Sequence, residues 1–148
     1  EQNLRSAIFA LDLHDQRPNA IAVAKWLEAH DDVATVFYAG LESSSAYAAG
    51  KKYAPKGVGA VLSFELKGGV NAGRALVEST ELFSHVANIG DVRSLVIHPA
   101  STTHSQLTPE EQLSAGVTPG LVRLAVGIEG IDDILADLDA GFRAAKES

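Results

Sequence analysis

One arginine interrupts an apolar run and needs an anion. Arg123 lies in the middle of residues 121–126, a stretch of aliphatic and β-branched residues typical of a strand. A guanidinium is costly to bury without a negative charge, and its planar fork suits a carboxylate that accepts two hydrogen bonds. That carboxylate is either an internal Asp or Glu or part of a substrate. Because buried charges are usually paired within a protein, the residues alone favour the internal partner.

Two histidines flank a loop of small hydroxyl residues. His98 and His104 bracket the string Pro-Ala-Ser-Thr-Thr, which follows a short β-branched run. Loops after strands often carry binding residues, but a zinc site would need a third ligand at a suitable spacing, which this region lacks. We therefore expect hydrogen-bonded loop histidines and no metal.

Several other chemistries are excluded or unsupported. The chain has no cysteine, so it has no disulfide, thiolate zinc site or cysteine nucleophile. No G-x-S-x-G string marks a serine nucleophile of a hydrolase. The pair Gly57 and Gly59 lacks the third glycine and the following helix of a dinucleotide-binding loop.

Composition limits the class of protein and its partners. The 148 residues carry a net charge of −7 and are 46% apolar, which indicates a single folded domain without the basic surface of a nucleic-acid binder. The apolar stretches are far shorter than the roughly 20 residues that span a bilayer, and no signal pattern opens the chain. We expect a cytoplasmic protein with no membrane partner.

The elements that must position these residues are strands and helices in uneven alternation. Strands are predicted at residues 33–38, 58–66, 94–98 and 121–126. We expect an α+β fold, with a sheet of about four mainly antiparallel strands and helices on one face.

Five helices are predicted from apolar spacing and end signals. They cover residues 17–30, 43–53 and 71–80, then a segment from Thr108 to near Gly116, then a terminal helix. Asn71 is expected to cap the third helix, and Thr108 with Pro109 to open the fourth. The terminal helix has an apolar stripe, and its aspartates are expected on the wet side. The stripe is Ile131, Ile134, Leu135, Leu138 and Phe142, and the aspartates are Asp132, Asp133, Asp137 and Asp139.

From about residue 19 to 145 the sequence resembles the carboxy-terminal region of the pyridoxal-phosphate enzymes of cysteine and methionine metabolism. The most specific strings are residues 94–104, Ser-Leu-Val-Ile-His-Pro-Ala-Ser-Thr-Thr-His, and residues 121–129, Leu-Val-Arg-Leu-Ala-Val-Gly-Ile-Glu. Residues 81–91, Glu-Leu-Phe-Ser-His-Val-Ala-Asn-Ile-Gly-Asp, resemble the sulfhydrylase branch of that family, because other branches typically carry Ser-Leu-Gly-Gly at 88–91.

The resemblance implies a fold, a division of the chain and a site. The fold would be the small carboxy-terminal domain of the aspartate-aminotransferase-like, fold-type I enzymes, at residues 19–148, after a linking segment 1–18 from a missing large domain. Arg123 would bind the α-carboxylate of the amino-acid substrate, which reverses the preference for an internal partner. Backbone groups of Asn88 and Ile89 would reach the substrate, and Thr103 would lie near its carbon skeleton.

The same resemblance implies a reaction that this chain cannot perform alone. In the complete enzyme sulfide would replace the acetate of O-acetylhomoserine and give homocysteine, a step of methionine biosynthesis, with pyridoxal 5'-phosphate as electron sink. The Schiff-base lysine lies in a Ser-x-Thr-Lys context in the family, and no lysine here has that context. We therefore expect no catalytic residue in this chain, an inactive fragment, a cofactor held mainly by the missing domain, and a homo-oligomer such as a homotetramer.

Other readings stay open. In one alternative the enzyme uses O-succinylhomoserine as its donor. In another it catalyses the reaction of a cystathionine synthase or lyase. In a third alternative the chain is a stand-alone module that binds amino acids or a protein partner without catalysis.

Overall fold

Five strands form one mixed sheet in the computed structural model, which describes residues 16–88 and 91–147. The strands are β1 (Val33–Phe37), β2 (Val61–Leu66), β3 (Ser84–His85), β4 (Leu95–Ile97) and β5 (Leu121–Ala125). Their order across the sheet is β1-β2-β5-β4-β3, and every neighbouring pair is antiparallel except the parallel pair β3 and β4. The sheet therefore has β5 at its centre.

Helices connect and cover these strands. The described helices are α1 (residues 16–28), α2 (Tyr47–Tyr53), α3 (Gly69–Ser79), α4 (Pro109–Ser114) and α5 (Ile131–Lys146), with a short 3-10 helix at Pro99–Ser101. Residues 16–18, which fall in the predicted linking segment, are already helical, and the rest of that segment lies outside the described residues.

The core lies on one face of the sheet. Leu62 and Phe64 of β2 and Val122 and Leu124 of β5 are buried, whereas the residues between them are partly exposed. This alternation follows from the period of two in a strand. Helices α1, α3 and α5 cover the buried face with a shared set of apolar side chains: Ala20, Val23, Ala24, Leu27, Leu76, Val77, Ile134, Leu138 and Phe142.

Aromatic packing joins the terminal helix to both neighbouring layers. The ring of Phe142 stacks on Phe64 of β2 with centroids 5.8 Å apart and meets Trp26 of α1 edge-on at 5.5 Å. The predicted apolar stripe of α5 is confirmed, because Ile134, Leu138 and Phe142 are fully buried.

Two details of the predicted elements are wrong. The sheet has a fifth strand, β3, whose two residues are too few to show a periodic pattern. Asn71 does not cap α3, because the helix already begins at Gly69 and its N-cap is Gly68, which has no side chain to contribute. Gly69 turns the chain into the helix at φ +66°, a value that glycine adopts without steric cost.

The start of α4 is as predicted. The Thr108 side chain accepts a hydrogen bond from the Glu111 backbone N–H, and the Glu111 carboxylate accepts one from the Thr108 N–H, which is a complete capping box. Within the described ranges no helix is long and apolar enough to cross a bilayer.

Candidate functional site

Arg123 lies at the middle of the sheet but not in its core. It pairs in register with Ser63 of β2 and with Ile97 of β4. Its neighbours Val122 and Leu124 point to the buried face, so the strand period places Arg123 on the opposite face, where it is partly exposed. The assumption that this guanidinium is buried in the core was therefore wrong, and its position instead leaves it accessible to a ligand.

Within the described residues the guanidinium has one hydrogen-bond partner, a backbone carbonyl. Its Nη2 donates to the carbonyl oxygen of Asn88 at 3.2 Å. No carboxylate of residues 16–88 or 91–147 forms an ion pair with Arg123, so the internal salt bridge that composition favoured is not found there. A guanidinium carries five N–H donors, and the single bond to Asn88 leaves enough of them for a bidentate carboxylate.

A narrow depression lies beside the arginine and has no room for a water molecule. Its lining residues are Val86, Asn88, Leu95, Val96, Ile97, Arg123 and Ala125. The described residues therefore offer a guanidinium on the partly exposed face of the sheet, but no cavity for a carbon chain beside it.

The other predicted site residues divide into three cases. Asn88 lies beside Arg123, as the resemblance implied. Ile89 lies outside the described residues. Thr103 is exposed on the loop after the 3-10 helix, where its hydroxyl contacts Nδ1 of His104 at 2.8 Å, and it does not line the depression.

His98 is a structural residue, in agreement with the prediction of hydrogen-bonded loop histidines. Its fully buried ring contacts Pro119 O through Nε2 and Ser101 Oγ through Nδ1, both at 2.8 Å. Because a carbonyl only accepts, Nε2 carries the proton in the neutral ring and Nδ1 accepts from the Ser101 hydroxyl. Burial lowers the pKa of His98, so the neutral ring is favoured. The ring ties the end of β4 to the entry of β5.

Two polar side chains that the sequence did not single out also hold this region. The Glu65 carboxylate accepts hydrogen bonds from the Thr118 hydroxyl and the Gly120 N–H, just before β5. The side-chain amide of Gln112 in α4 donates to the carbonyls of Ala100 and His104. No sequence signal identifies them, because each contact joins residues that only the tertiary structure brings together.

One of the terminal-helix aspartates has a role other than the one predicted. Asp137 was expected on the wet side of α5, but its carboxylate accepts hydrogen bonds from the backbone of residues 81–83. That backbone leads directly to Asn88.

The lysines lie away from the depression beside Arg123. Lys67 and Lys146 are engaged with Asp31 and Asp32, and Lys25 and Lys51 line a separate groove of about 710 Å³ between α1 and α2. No group of three His, Asp or Glu side chains in the described ranges is arranged to hold a metal ion.

Comparison with known proteins identifies relatives over most of the chain. The family model described as Cys/Met metabolism PLP-dependent enzyme matches residues 8–143. The O-acetyl-L-homoserine sulfhydrylase of Leptospira meyeri is 54% identical over 126 residues, which are 84% of this chain and 28% of the relative. The chain spans about a third of the length of the curated relatives that it matches.

Solved structures share the fold. A Campylobacter jejuni structure that contains N'-pyridoxyl-lysine-5'-monophosphate is 41% identical with a TM-score of 0.83, over 90% of this chain and 32% of that one. The cystathionine gamma synthase of Xanthomonas oryzae pv. oryzae, in complex with cystathionine, is 40% identical with a TM-score of 0.80, over 93% and 35%. The predicted α+β fold of part of a fold-type I pyridoxal-phosphate enzyme is thus confirmed.

Proposed function

Since the chain belongs to the family of pyridoxal-phosphate-dependent enzymes of cysteine and methionine metabolism, we propose that it is the substrate-carboxylate-binding domain of an O-acetylhomoserine sulfhydrylase. The complete enzyme would exchange the acetate of O-acetylhomoserine for sulfide and release homocysteine. The observation that carries the proposal is Arg123, a partly exposed guanidinium in the middle of a sheet with a backbone carbonyl as its hydrogen-bond partner.

Arg123 binds the α-carboxylate of the amino acid in this proposal. The Asn88 carbonyl holds Nη2 and so restrains the plane of the guanidinium. The remaining N–H groups present two parallel donors to the incoming carboxylate, a geometry that also fixes the orientation of the substrate.

Three further residues belong to the proposed site. Backbone groups of Asn88 and Ile89 contact the substrate, and Thr103 lies near its carbon skeleton in the complete enzyme. The cofactor and its lysine belong to a large domain of a longer polypeptide, which assembles as a cytoplasmic homo-oligomer. The 148 residues alone are inactive in this proposal, because none of their lysines has the Ser-x-Thr-Lys context that the resemblance implies for the Schiff-base lysine.

The test uses the full-length gene product that contains this chain. Its mass and visible absorbance are compared with those of the 148-residue chain, and both are assayed for sulfide-dependent formation of homocysteine. We expect a longer, yellow, active protein and a colourless, inactive chain. A gene product no longer than this chain, or a colourless one, would refute the enzyme proposal and favour the stand-alone binding module.

Replacing Arg123 tests the site itself. Arg123→Lys keeps the charge but loses the planar fork, so kcat/KM for O-acetylhomoserine should fall by about 30-fold or more, mainly through KM. Arg143→Lys is the matched control, since Arg143 is an exposed residue of α5 whose described partner is Asp139. An Arg123→Lys enzyme with the wild-type KM contradicts the proposed carboxylate site.

A second candidate reaction is favoured by one comparison. The similarity to a cystathionine gamma synthase is nearly as high as that to the other solved structure. Activity with O-succinylhomoserine and cysteine, in place of O-acetylhomoserine and sulfide, would assign the protein to that reaction and leave the role of Arg123 unchanged.

A further inference from the structure

The backbone that presents Asn88 to Arg123 follows a very short strand. Within residues 81–88, which come after α3, only the two residues of β3 are in a strand. Most of residues 84–88 are exposed. The position of Asn88 therefore depends on β3, which pairs with β4 through Ser84 and His85, and on how the two ends of this region, residues 81–83 and Ser94, are held.

A single carboxylate holds the first end. Oδ1 of Asp137 accepts from the Glu81 N–H at 2.8 Å, and Oδ2 accepts from the N–H groups of Leu82 and Phe83 at 3.0 and 3.1 Å. Three successive backbone donors on one ionised acceptor are charge-assisted hydrogen bonds, which are stronger than neutral ones. Residues 81–83 thus have one defined backbone arrangement.

The support behind this carboxylate is rigid. Asp137 precedes Leu138, which is fully buried, and α5 is packed against α3 and the sheet through Ile134 and Phe142. Phe83 is itself buried, so the same short stretch is held from both sides. A shift of residues 81–83 would need either α5 or the core to move with it.

A second carboxylate holds the other end. Oε1 of Glu129 accepts from the Ser94 N–H at 2.7 Å, and Oε2 accepts from the Ser94 hydroxyl at 2.9 Å. The hydroxyl oxygen in turn accepts from the Gly127 N–H at 2.9 Å. Gly127 has to be glycine for this approach, because a Cβ there would lie 2.2 Å from Oε2 of Glu129.

We propose that Asp137 and Glu129 are positioning residues that hold residues 81–83 before β3 and Ser94 before β4, so that the Asn88 carbonyl meets Arg123 and orients it for the substrate carboxylate. The part of this proposal that concerns substrate binding rests on the proposed function. Neither residue contacts the substrate. Their effect on the reaction passes through the orientation of the Arg123 guanidinium.

The structural arm of the test does not depend on activity. Hydrogen exchange of the full-length gene product, followed by mass spectrometry, is compared between wild type and Asp137→Asn. Asn keeps the size of the side chain, but its NH₂ group cannot accept, so part of the three-bond arrangement is lost. We expect amides in peptides that cover residues 81–83 to exchange about tenfold faster or more.

Matched variants keep this arm decisive. Asp139→Asn removes the same charge from the same helix but breaks only an exposed pair with Arg143, so exchange at 81–83 should not change. Glu129→Gln should accelerate exchange at Ser94 in the same way, and it provides a reading if Asp137→Asn fails to fold. Unchanged exchange at both ends overturns the proposal.

Kinetic measurements distinguish a failure of this positioning proposal from a failure of the proposed sulfhydrylase function. In an active enzyme Asp137→Asn should raise KM for O-acetylhomoserine about tenfold while kcat changes less than threefold, and Asp139→Asn should leave both unchanged. Faster exchange at 81–83 with an unchanged KM overturns the positioning role and leaves the sulfhydrylase proposal intact. A wild type without sulfhydrylase activity refutes the proposed function, whereas the exchange arm still decides whether the carboxylates hold residues 81–83 and Ser94.

Discussion

A methyl group added at Gly73 should destabilise the fold, although alanine is normally the better helix former. Gly73 is buried in α3 and faces the ring of His98. A Cβ at this position would lie 2.5 Å from Cδ2 and 2.6 Å from Nε2 of that ring. The same Nε2 bonds to the carbonyl of Pro119, so the ring cannot retreat without losing that hydrogen bond.

The expected size follows from three opposing effects. Alanine in place of glycine within a helix stabilises by about 1 kcal/mol. Overpacking a rigid core costs about 1–3 kcal/mol, and a buried donor that loses its partner costs about 1–3 kcal/mol more. We therefore expect Gly73→Ala to lower the free energy of unfolding by about 1–5 kcal/mol.

Urea unfolding, followed by the fluorescence of Trp26 and by circular dichroism, measures this change. Asn71→Ala is the control, since it introduces alanine at an exposed position of the same helix and should change stability by less than about 0.5 kcal/mol. In a His98→Ala background the new methyl has room, so the double-mutant cycle should show a coupling of about 1–3 kcal/mol. Additive effects, or a Gly73→Ala chain as stable as the control, would refute the reasoning.

Two further predictions concern a helix cap and pH. Thr108→Ala removes the capping box of α4 and should cost about 1 kcal/mol, whereas Thr108→Ser keeps the acceptor; the two urea midpoints compare them. Because burial lowers the pKa of His98 from 6.5, the unfolded chain binds this proton more readily, so stability is highest above that pH and falls as the pH falls below it. Thermal melting between about pH 8 and pH 5 measures how the melting temperature depends on pH. The part of this dependence that comes from His98 should be absent in His98→Gln. A hydrogen bond from the Arg93 guanidinium lowers the pKa of Asp91 from 3.8 to about 2. The stability that this pair contributes should therefore be present above pH 3.8 and be lost as the pH falls toward 2, and the same melts in acid should show no such loss for Asp91→Asn.

The elements that could be predicted are those whose signals are local. The apolar stripe of α5 recurs at helical spacing over 16 residues, and the cap of α4 needs only Thr108 and the three residues after it. Strands β2 and β5, which are neighbours in the sheet, were predicted for the same reason. None of these predictions required knowledge of the tertiary structure.

The features that were missed depend on contacts between distant parts of the chain. β3 consists of two residues that become a strand only because β4 lies beside them. Asp137 follows the polar pattern of an exposed helix face, and only the return of residues 81–83 to α5 gives it a role.

Arg123 was recognised as a candidate site residue because a charge in an apolar run is unusual. The sequence could not predict whether its side chain is buried or exposed. Leu121, Arg123 and Ala125 share one face of β5, and Val122 and Leu124 share the other. Since both faces carry aliphatic residues, the sequence does not show which one faces the core. The absence of a carboxylate partner among the described residues likewise emerged only from the structure.

The central place of β5 has a consequence for how the chain acquires its fold. β5 follows every other strand in the sequence, yet it alone joins the β1–β2 pair to the β3–β4 pair. Until residues 121–125 have been synthesised, the two pairs cannot be joined into one sheet, and the facing edges of β2 and β4 have no partner strand. The sheet therefore closes in one late step with a large loop-closure entropy, and a nascent chain that stalls before this point exposes two unpaired strand edges to aggregation.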